Sequence, residues 1–150
     1  YLSDIVEAVE QFGSLFIQVY GQGECPMGIT VLPRFEVADR DSKKWKKRLK
    51  SVGYSQSSVE VKIENKEGAI MTPGEIGEIM VRGELVMPGY WDNREATSKT
   101  IVNGWLLTGD MGSIDEDGYI TMHDRSKDMI ISGGSTPKPQ NPKHLINRIL

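Results

Sequence analysis

Trp105-Leu106-Leu107-Thr108-Gly109-Asp110-Met111-Gly112-Ser113-Ile114, then Asp115-Glu116-Asp117-Gly118, then Tyr119-Ile120-Thr121-Met122-His123, is the stretch whose reading decides the fold. Trp105 to Thr108 reads as one strand and Met111 to Ile114 as another. Asp115 to Gly118 carries turn chemistry and reverses the chain into Tyr119 to His123, so the last two runs form a β-hairpin. Between the first two runs lies Thr108-Gly109-Asp110, a polar break that puts a carboxylate where a strand gives way to a turn. A second polar motif, Asp124-Arg125-Ser126-Lys127-Asp128, ends the hairpin.

The β pattern extends upstream. Val59, Val61 and Ile63 alternate with Glu60, Lys62 and Glu64, as on a half-buried strand. Pro73-Gly74 is a turn, and Ile76, Ile79 and Val81 carry the next strand to Gly83. Leu15 to Tyr20 reads as a short buried strand that delivers Tyr20 to a loop opened by Gly21 and Gly23. Ile29 to Leu32 is a further short apolar run, closed by Pro33.

Helical signals are fewer. Ser3 to Phe12 is amphipathic, with Ile5, Ala8, Val9 and Phe12 on one face and Gly13 at its end. Asn93 or Asp92 caps a short helix from Arg94 to about Thr100. Asp39 to Val52 reads as a basic helix in which Trp45, Leu49 and Val52 make a narrow apolar stripe. Lys43, Lys44, Lys46, Lys47, Arg48 and Lys50 fill its remaining faces. The favoured reading is a solvated face anchored by Trp45, and the competing one is a site for a phosphate-bearing ligand. Met129 to Ser132 is one more short apolar run, broken by Gly133-Gly134. Pro137, Pro139 and Pro142 favour an extended path, after which Asn141-Pro142 can open a last helix to Leu150. The class that emerges is α+β, mainly β.

Composition narrows the function. At 150 residues the chain can bury a core. A net charge of −3 argues against a nucleic-acid or membrane-surface protein. No apolar run reaches the ~20 residues of a membrane span, and no signal peptide is evident. Cys25 is the one cysteine, so no intrachain disulfide forms, and a lone thiol suits a cytoplasmic setting. His123 and His144 stand too far from other ligands to imply a metal site. Cys25 reads as a small core or loop residue.

Three pieces carry candidate chemistry. Asp110 can accept two hydroxyl hydrogen bonds and Arg125 can donate several, which suits a vicinal diol such as a ribose. Tyr20-Gly21-Gln22-Gly23-Glu24 offers an aromatic face, a flexible backbone and a carboxylate. Together they are suited to a nucleotide, held by base, sugar and metal-bound phosphate.

The order Tyr-Gly-x-x-Glu, Gly-Glu-Ile-x-Val-Arg-Gly, Trp-x-x-Thr-Gly-Asp and Asp-Arg-x-Lys-Asp-x-Ile, running from about Phe16 to Gly134, resembles the adenylate-forming superfamily. That superfamily contains acyl- and aryl-CoA synthetases, firefly luciferase and the adenylation domains of nonribosomal peptide synthetases. The resemblance implies a fold in which residues 1–126 are the end of a large AMP-binding domain, with a distorted antiparallel β-barrel. Residues 127–150 would begin a small C-terminal lid.

The resemblance also implies roles. Tyr20 stacks on adenine, with Gly21, Gln22 and Gly23 beside it. Glu24 is the catalytic acid that helps bind magnesium on the ATP phosphates. Asp110 takes the ribose hydroxyls, and Arg125 reaches the same sugar and phosphate region. Lys127 is the hinge, and Gly133 and Gly134 form the loop that approaches the CoA thiol. The family usually has Thr or Ser just before this Glu; here Gly23 offers only its backbone N–H. Gly83, Pro88, Gly89, Tyr90 and Trp91 resemble a family segment expected to shape the barrel rather than to do chemistry.

The reaction implied is ATP-dependent activation of a carboxylic or fatty acid as acyl-AMP, followed by transfer to CoA. The family's phosphate loop and its late lid lysine have no counterpart in these 150 residues. The expectation is therefore a C-proximal piece that turns over poorly alone. The alternatives are a non-catalytic nucleotide-binding relic, or an adenylation domain that serves a carrier protein.

Overall fold

The computed structural model describes residues 2–125. Lys127, Gly133, Gly134, the 129–132 run, the proline-rich tail and the expected last helix lie outside the described residues. The elements in order are α1 (Leu2–Phe12), β1 (Gln18–Gln22), β2 (Cys25–Leu32), α2 (Arg34–Val37), α3 (Trp45–Leu49), β3 (Tyr54–Ser55), β4 (Val59–Glu64), β5 (Gly77–Gly83), α4 (Arg94–Thr100), β6 (Ile101–Val102), β7 (Trp105–Ile114) and β8 (Ile120–Arg125). The chain is mainly β, and every strand pairing is antiparallel.

Strands β1, β2 and β3 form one sheet. The other runs β4-β5-β7-β6, with β8 also paired to β7. Its curled strands make a distorted half-barrel. The two sheets close on one core of Cys25 and Ile29 from β2, Val59 and Ile63 from β4, Ile79 and Val81 from β5, Leu106 from β7 and Ile120 from β8. Burying an aliphatic side chain of this kind is worth about 1.5–3 kcal/mol, so these residues dominate the packing of the half-barrel. The alternation read from Val59 to Glu64 is present: Val59 and Ile63 are buried and Glu60 is exposed.

A second cluster lies under the helices. Val9, Leu32, Val37, Trp45 and Leu49 are its buried members, with Leu2, Ile5, Val6, Phe16 and Tyr119 against it. Phe12 departs from the expected helix face, at 59% exposed. Gly13 ends α1 as expected, with φ +69° and its N–H on the Val9 carbonyl at 3.0 Å. The basic segment is less helical than its pattern, since only Trp45–Leu49 forms α3. Trp45 anchors it as read: it is buried, and its Nε1–H donates to the Val37 carbonyl at 2.7 Å.

Two joints around β8 help to hold the layers together. The Val52 N–H donates to the Ile120 carbonyl at 2.8 Å, and the Ile120 N–H donates to the Gly53 carbonyl at 2.7 Å. These bonds stitch the chain entering β3 to β8, and so one sheet to the other. Gly53 has φ +86°, and a Cβ there would lie 1.9 Å from the Val31 carbonyl oxygen. The other joint is Tyr119, whose hydroxyl donates to Glu36 Oε2 at 2.5 Å, while the Arg48 guanidinium sits 5.6 Å from its ring centroid. Burial, the hydrogen bond to Glu36 and that residue's charge push the Tyr119 phenol from its ordinary 10.0 up to about 12.

Gly53→Ala is expected to destabilise the chain by at least ~2 kcal/mol in urea unfolding, because left-handed backbone and a backbone clash act together. The Tyr119 phenol contributes in full below pH 10.0, where it is neutral folded and unfolded. Its contribution falls as the unfolded chain ionises and is gone above about 12. A phenolate absorbance titration is expected to show a last-ionising tyrosine at about pH 12 that is absent in Tyr119→Phe and shifted down in Glu36→Gln.

Candidate functional site

The Thr-Gly-Asp motif is a bulge inside one strand rather than a gap between two. On β5, Glu78 pairs with Met111 and Met80 pairs with Leu107, so Thr108, Gly109 and Asp110 stand opposite the single residue Ile79. A bulge locally re-aims side chains and is satisfied by side-chain bonds in place of the ladder. Here the Thr108 hydroxyl donates to the Ile79 carbonyl at 2.7 Å and accepts from the Asp110 N–H at 3.1 Å. The Gly109 N–H donates to Glu78 Oε1 at 2.9 Å, and Gly109 takes φ +72°, a conformation that glycine adopts without strain. The outcome corrects the reading of Trp105–Thr108 and Met111–Ile114 as separate strands, because the sequence break is absorbed within β7.

The β1–β2 hairpin is irregular too. Gln22 pairs with Cys25, so Gly23 and Glu24 are the two-residue turn. Tyr20 pairs with Thr30, so the β2 backbone bulges between the two pairs. A Cβ on Gly21 would lie 2.3 Å from the Met27 N. Gly21 and Gln22 thus belong to the strand rather than to an open loop, and Gly21 makes room for the bulge of β2.

These two irregularities meet. The Tyr20 hydroxyl donates to Asp110 Oδ2 at 2.7 Å, and the Gln22 Nε2 donates to the Thr108 carbonyl at 3.5 Å. Asp110 is 6% exposed, so its carboxylate is a buried acid held by the opposite sheet. Across the other edge of β7, Arg125 is the register partner of Asp110. Tyr20, Asp110 and the Arg125 backbone therefore come together at one rim of the half-barrel.

Glu24 sits at the adjoining turn with different partners. Its Oε1 accepts from the Tyr90 hydroxyl at 2.5 Å, and its carbonyl accepts from the Met87 N–H at 2.8 Å. Its Oε2 makes no hydrogen bond among the described residues. Gly23 is exposed, with nothing within 4 Å of where a Cβ would be. Tyr90 was assigned only a shaping role by its motif. Its sequence signal was weak, since a Pro-Gly-Tyr-Trp run reads equally as a turn, and it reaches Glu24 only through the tertiary fold.

The other candidates resolve as structure. Trp105 lies on the outer sheet face under two cations, with Lys62 Nζ 4.4 Å and the Arg82 guanidinium 4.6 Å from its ring. In the basic segment Lys44 pairs with Asp117 at 2.6 Å, Lys47 with Asp115 at 2.7 Å and Arg48 with Asp39 at 3.4 Å. Lys44 and Lys47 are thus answered by the hairpin turn and Arg48 by Asp39, which favours the anchored-face reading. Cys25 is buried in the core. No cluster of metal-ligating side chains occurs among the described residues, and His123 pairs with Ser113 at 3.1 Å. Among the described residues no helix is long and apolar enough to cross a membrane.

The curled antiparallel half-barrel matches part of the fold of adenylate-forming enzymes. Comparison with known proteins agrees. The family model "AMP-binding enzyme" matches residues 3–91. Over 142 residues the chain is 39% identical to the medium/long-chain-fatty-acid–CoA ligase FadD8 of Mycobacterium tuberculosis, covering 95% of this chain and 24% of that protein. It superposes on the amide bond synthetase McbA of Marinactinospora thermotolerans with a TM-score of 0.79 at 32% identity, over 91% of this chain and 26% of that one. The O-succinylbenzoate CoA synthetase of Bacillus subtilis in complex with AMP gives a TM-score of 0.75 at 36% identity, over 90% and 26% of the two chains. The same enzyme with ATP and a magnesium ion gives 0.71 at 37% identity, over 87% and 26%. The chain belongs to the AMP-binding, adenylate-forming enzyme family, and it spans about a quarter of the length of these relatives.

Tyr20→Phe is expected to cost about 1–2 kcal/mol in chemical unfolding, since it strips a partner from a buried carboxylate without changing the ring. Gln22→Ala, which loses a long and weak contact, is expected to cost well under half as much.

Proposed function

We propose that this chain is the adenosine-binding part of an ATP-dependent acid–thiol ligase, in which a carboxylic or fatty acid is activated as acyl-AMP and passed to CoA. The observation that carries the reading is the Tyr20–Asp110 pair at the rim, beside the backbone of Arg125. A buried carboxylate oriented by a phenol is suited to accept two ribose hydroxyls. The ring of Tyr20 supplies a face for adenine, flanked by Gly21, Gln22 and Gly23. Arg125 adds donors toward sugar and phosphate. The CoA acceptor is supported by the CoA ligase relative, and ATP, AMP and magnesium by the AMP and ATP–magnesium complexes of the Bacillus subtilis synthetase above.

Glu24 fits a magnesium ion brought by ATP. A hard carboxylate oxygen with no competing hydrogen bond suits magnesium, which commonly takes one or two carboxylates together with substrate phosphates. The ion would neutralise charge on the phosphates. Glu24 holds its place in the turn, and Asp110 and Arg125 orient the sugar. In this reading residues 1–126 end the large domain and residues 127–150 begin the lid, with Lys127 as hinge and Gly133 and Gly134 at the thiol. A cytoplasmic setting belongs to the same reading. The alternatives, a nucleotide-binding relic or a carrier-protein acceptor, rest on no separate observation here.

Calorimetric titration with AMP tests it. The chain is expected to bind AMP, with Asp110→Ala weakening the affinity at least about tenfold. Pyrophosphate release with ATP, magnesium and a panel of fatty acids is expected to stay near background. Absence of AMP binding, or an Asp110→Ala variant that binds as well as the parent, would overturn the reading.

A further inference from the structure

We propose that Tyr90 is a positioning residue for Glu24, fixing which carboxylate oxygen is presented to the magnesium of bound ATP. The inference rests on the reading of Glu24 as the residue that meets that ion. Glu24 occupies a two-residue turn beside an exposed glycine, a place where a three-torsion side chain samples many rotamers. Ordering it only when ATP arrives would subtract from affinity, and a residue that orders it beforehand avoids that loss. The Tyr90 hydroxyl does so by donating to Oε1, which leaves Oε2 for the metal. A neutral phenol is suited to this task, because it donates to a carboxylate without adding a charge that would repel the ion.

Tyr90 is itself held from below. Its backbone N–H donates to Thr97 Oγ1 at 3.0 Å, and that hydroxyl donates to the Asn93 carbonyl at 2.8 Å. Asn93 caps α4, its side chain accepting from the Ala96 N–H at 3.0 Å. Gly89 has φ +149°, and a Cβ there would lie 2.8 Å from Thr97 Cγ2, so the segment seats closely on α4. The Met87 N–H reaches the Glu24 carbonyl from the same segment. The cap of α4 thereby sets the position of the phenol, and the phenol sets the carboxylate. Tyr90 is 37% exposed and its neighbour Trp91 is 97% exposed, so burial does not explain where this ring stands.

The test uses the 150-residue chain, with Mn²⁺ in place of magnesium so that metal-bound ATP is followed by electron paramagnetic resonance, and AMP without metal as the control. Tyr90→Phe is expected to weaken Mn²⁺·ATP binding about three- to tenfold while leaving AMP affinity unchanged. Glu24→Gln is expected to weaken Mn²⁺·ATP at least as much, and the double variant no further than Glu24→Gln alone. Trp91→Ala is expected to move neither affinity. In the ligand-free chain, carbon relaxation at the Glu24 carboxyl is expected to show a more mobile side chain in Tyr90→Phe.

Equal losses for AMP and Mn²⁺·ATP, an unchanged Mn²⁺·ATP affinity, or a Glu24 side chain no looser than in the parent would each overturn the positioning role. If Glu24→Gln binds Mn²⁺·ATP as the parent does, the metal role of Glu24 fails and the positioning role falls with it. A chain that binds AMP but fails only the Tyr90 arm leaves the adenosine reading standing.

Discussion

The hydrogen bond from Tyr20 to Asp110 is the constraint around which this rim is organised. A carboxylate that is 6% exposed must be answered by donors, since an unpaired buried charge is strongly unfavourable. Its answer comes from the other sheet, across 90 residues of chain. The pair can meet only if β1 and β7 reach the same edge of the half-barrel. That in turn requires the core between them, with Ile29 and Cys25 against Ile79, Val81 and Leu106. Core and rim are two expressions of one closure.

Irregularity in both strands is what exposes this edge. A regular β7 would continue its ladder with β5 past Ile79 and point alternate side chains into core and solvent. Three residues opposite one re-aim Asp110, and Thr108 and Gly109 satisfy the freed backbone. The β1–β2 hairpin carries a compensating bulge, which Gly21 tolerates because it has no side chain to strike Met27. Glycine and a small hydroxyl residue are therefore demanded by backbone geometry at these places, before any ligand is considered.

Much of this was legible in the sequence, and the exceptions have physical causes. Alternation in Val59–Glu64, the Asn93 cap and the Asp115–Gly118 reversal are local signals, and each is present. The grouping of Tyr20 with Asp110 followed from motif order. The continuity of β7 was hidden, because a bulge and a turn share the same Gly and Asp chemistry. The length of α3 was overread, because a lysine-rich pattern satisfies helical spacing without specifying a helix. Ser42 and the residues near it instead form turns that bring Lys44 and Lys47 to the acids of the hairpin. Tyr90 and Glu24 are 66 residues apart, and no periodicity encodes such a contact.

The surface that remains uncovered follows from the same geometry. Among the described residues β1 pairs with β2 alone. The expected buried strand from Leu15 to Tyr20 is corrected: the strand starts at Gln18, Leu15 and Ile17 precede it at 69% and 57% exposed, and Val19 within it is 41% exposed. Tyr20 alternates to the other face of β1 from Val19 and packs partly buried against the core, so its ring stands between the core and the polar rim. The position of Tyr20 thus follows from two demands on one residue: a ring that packs against the core, and a hydroxyl that must reach Asp110.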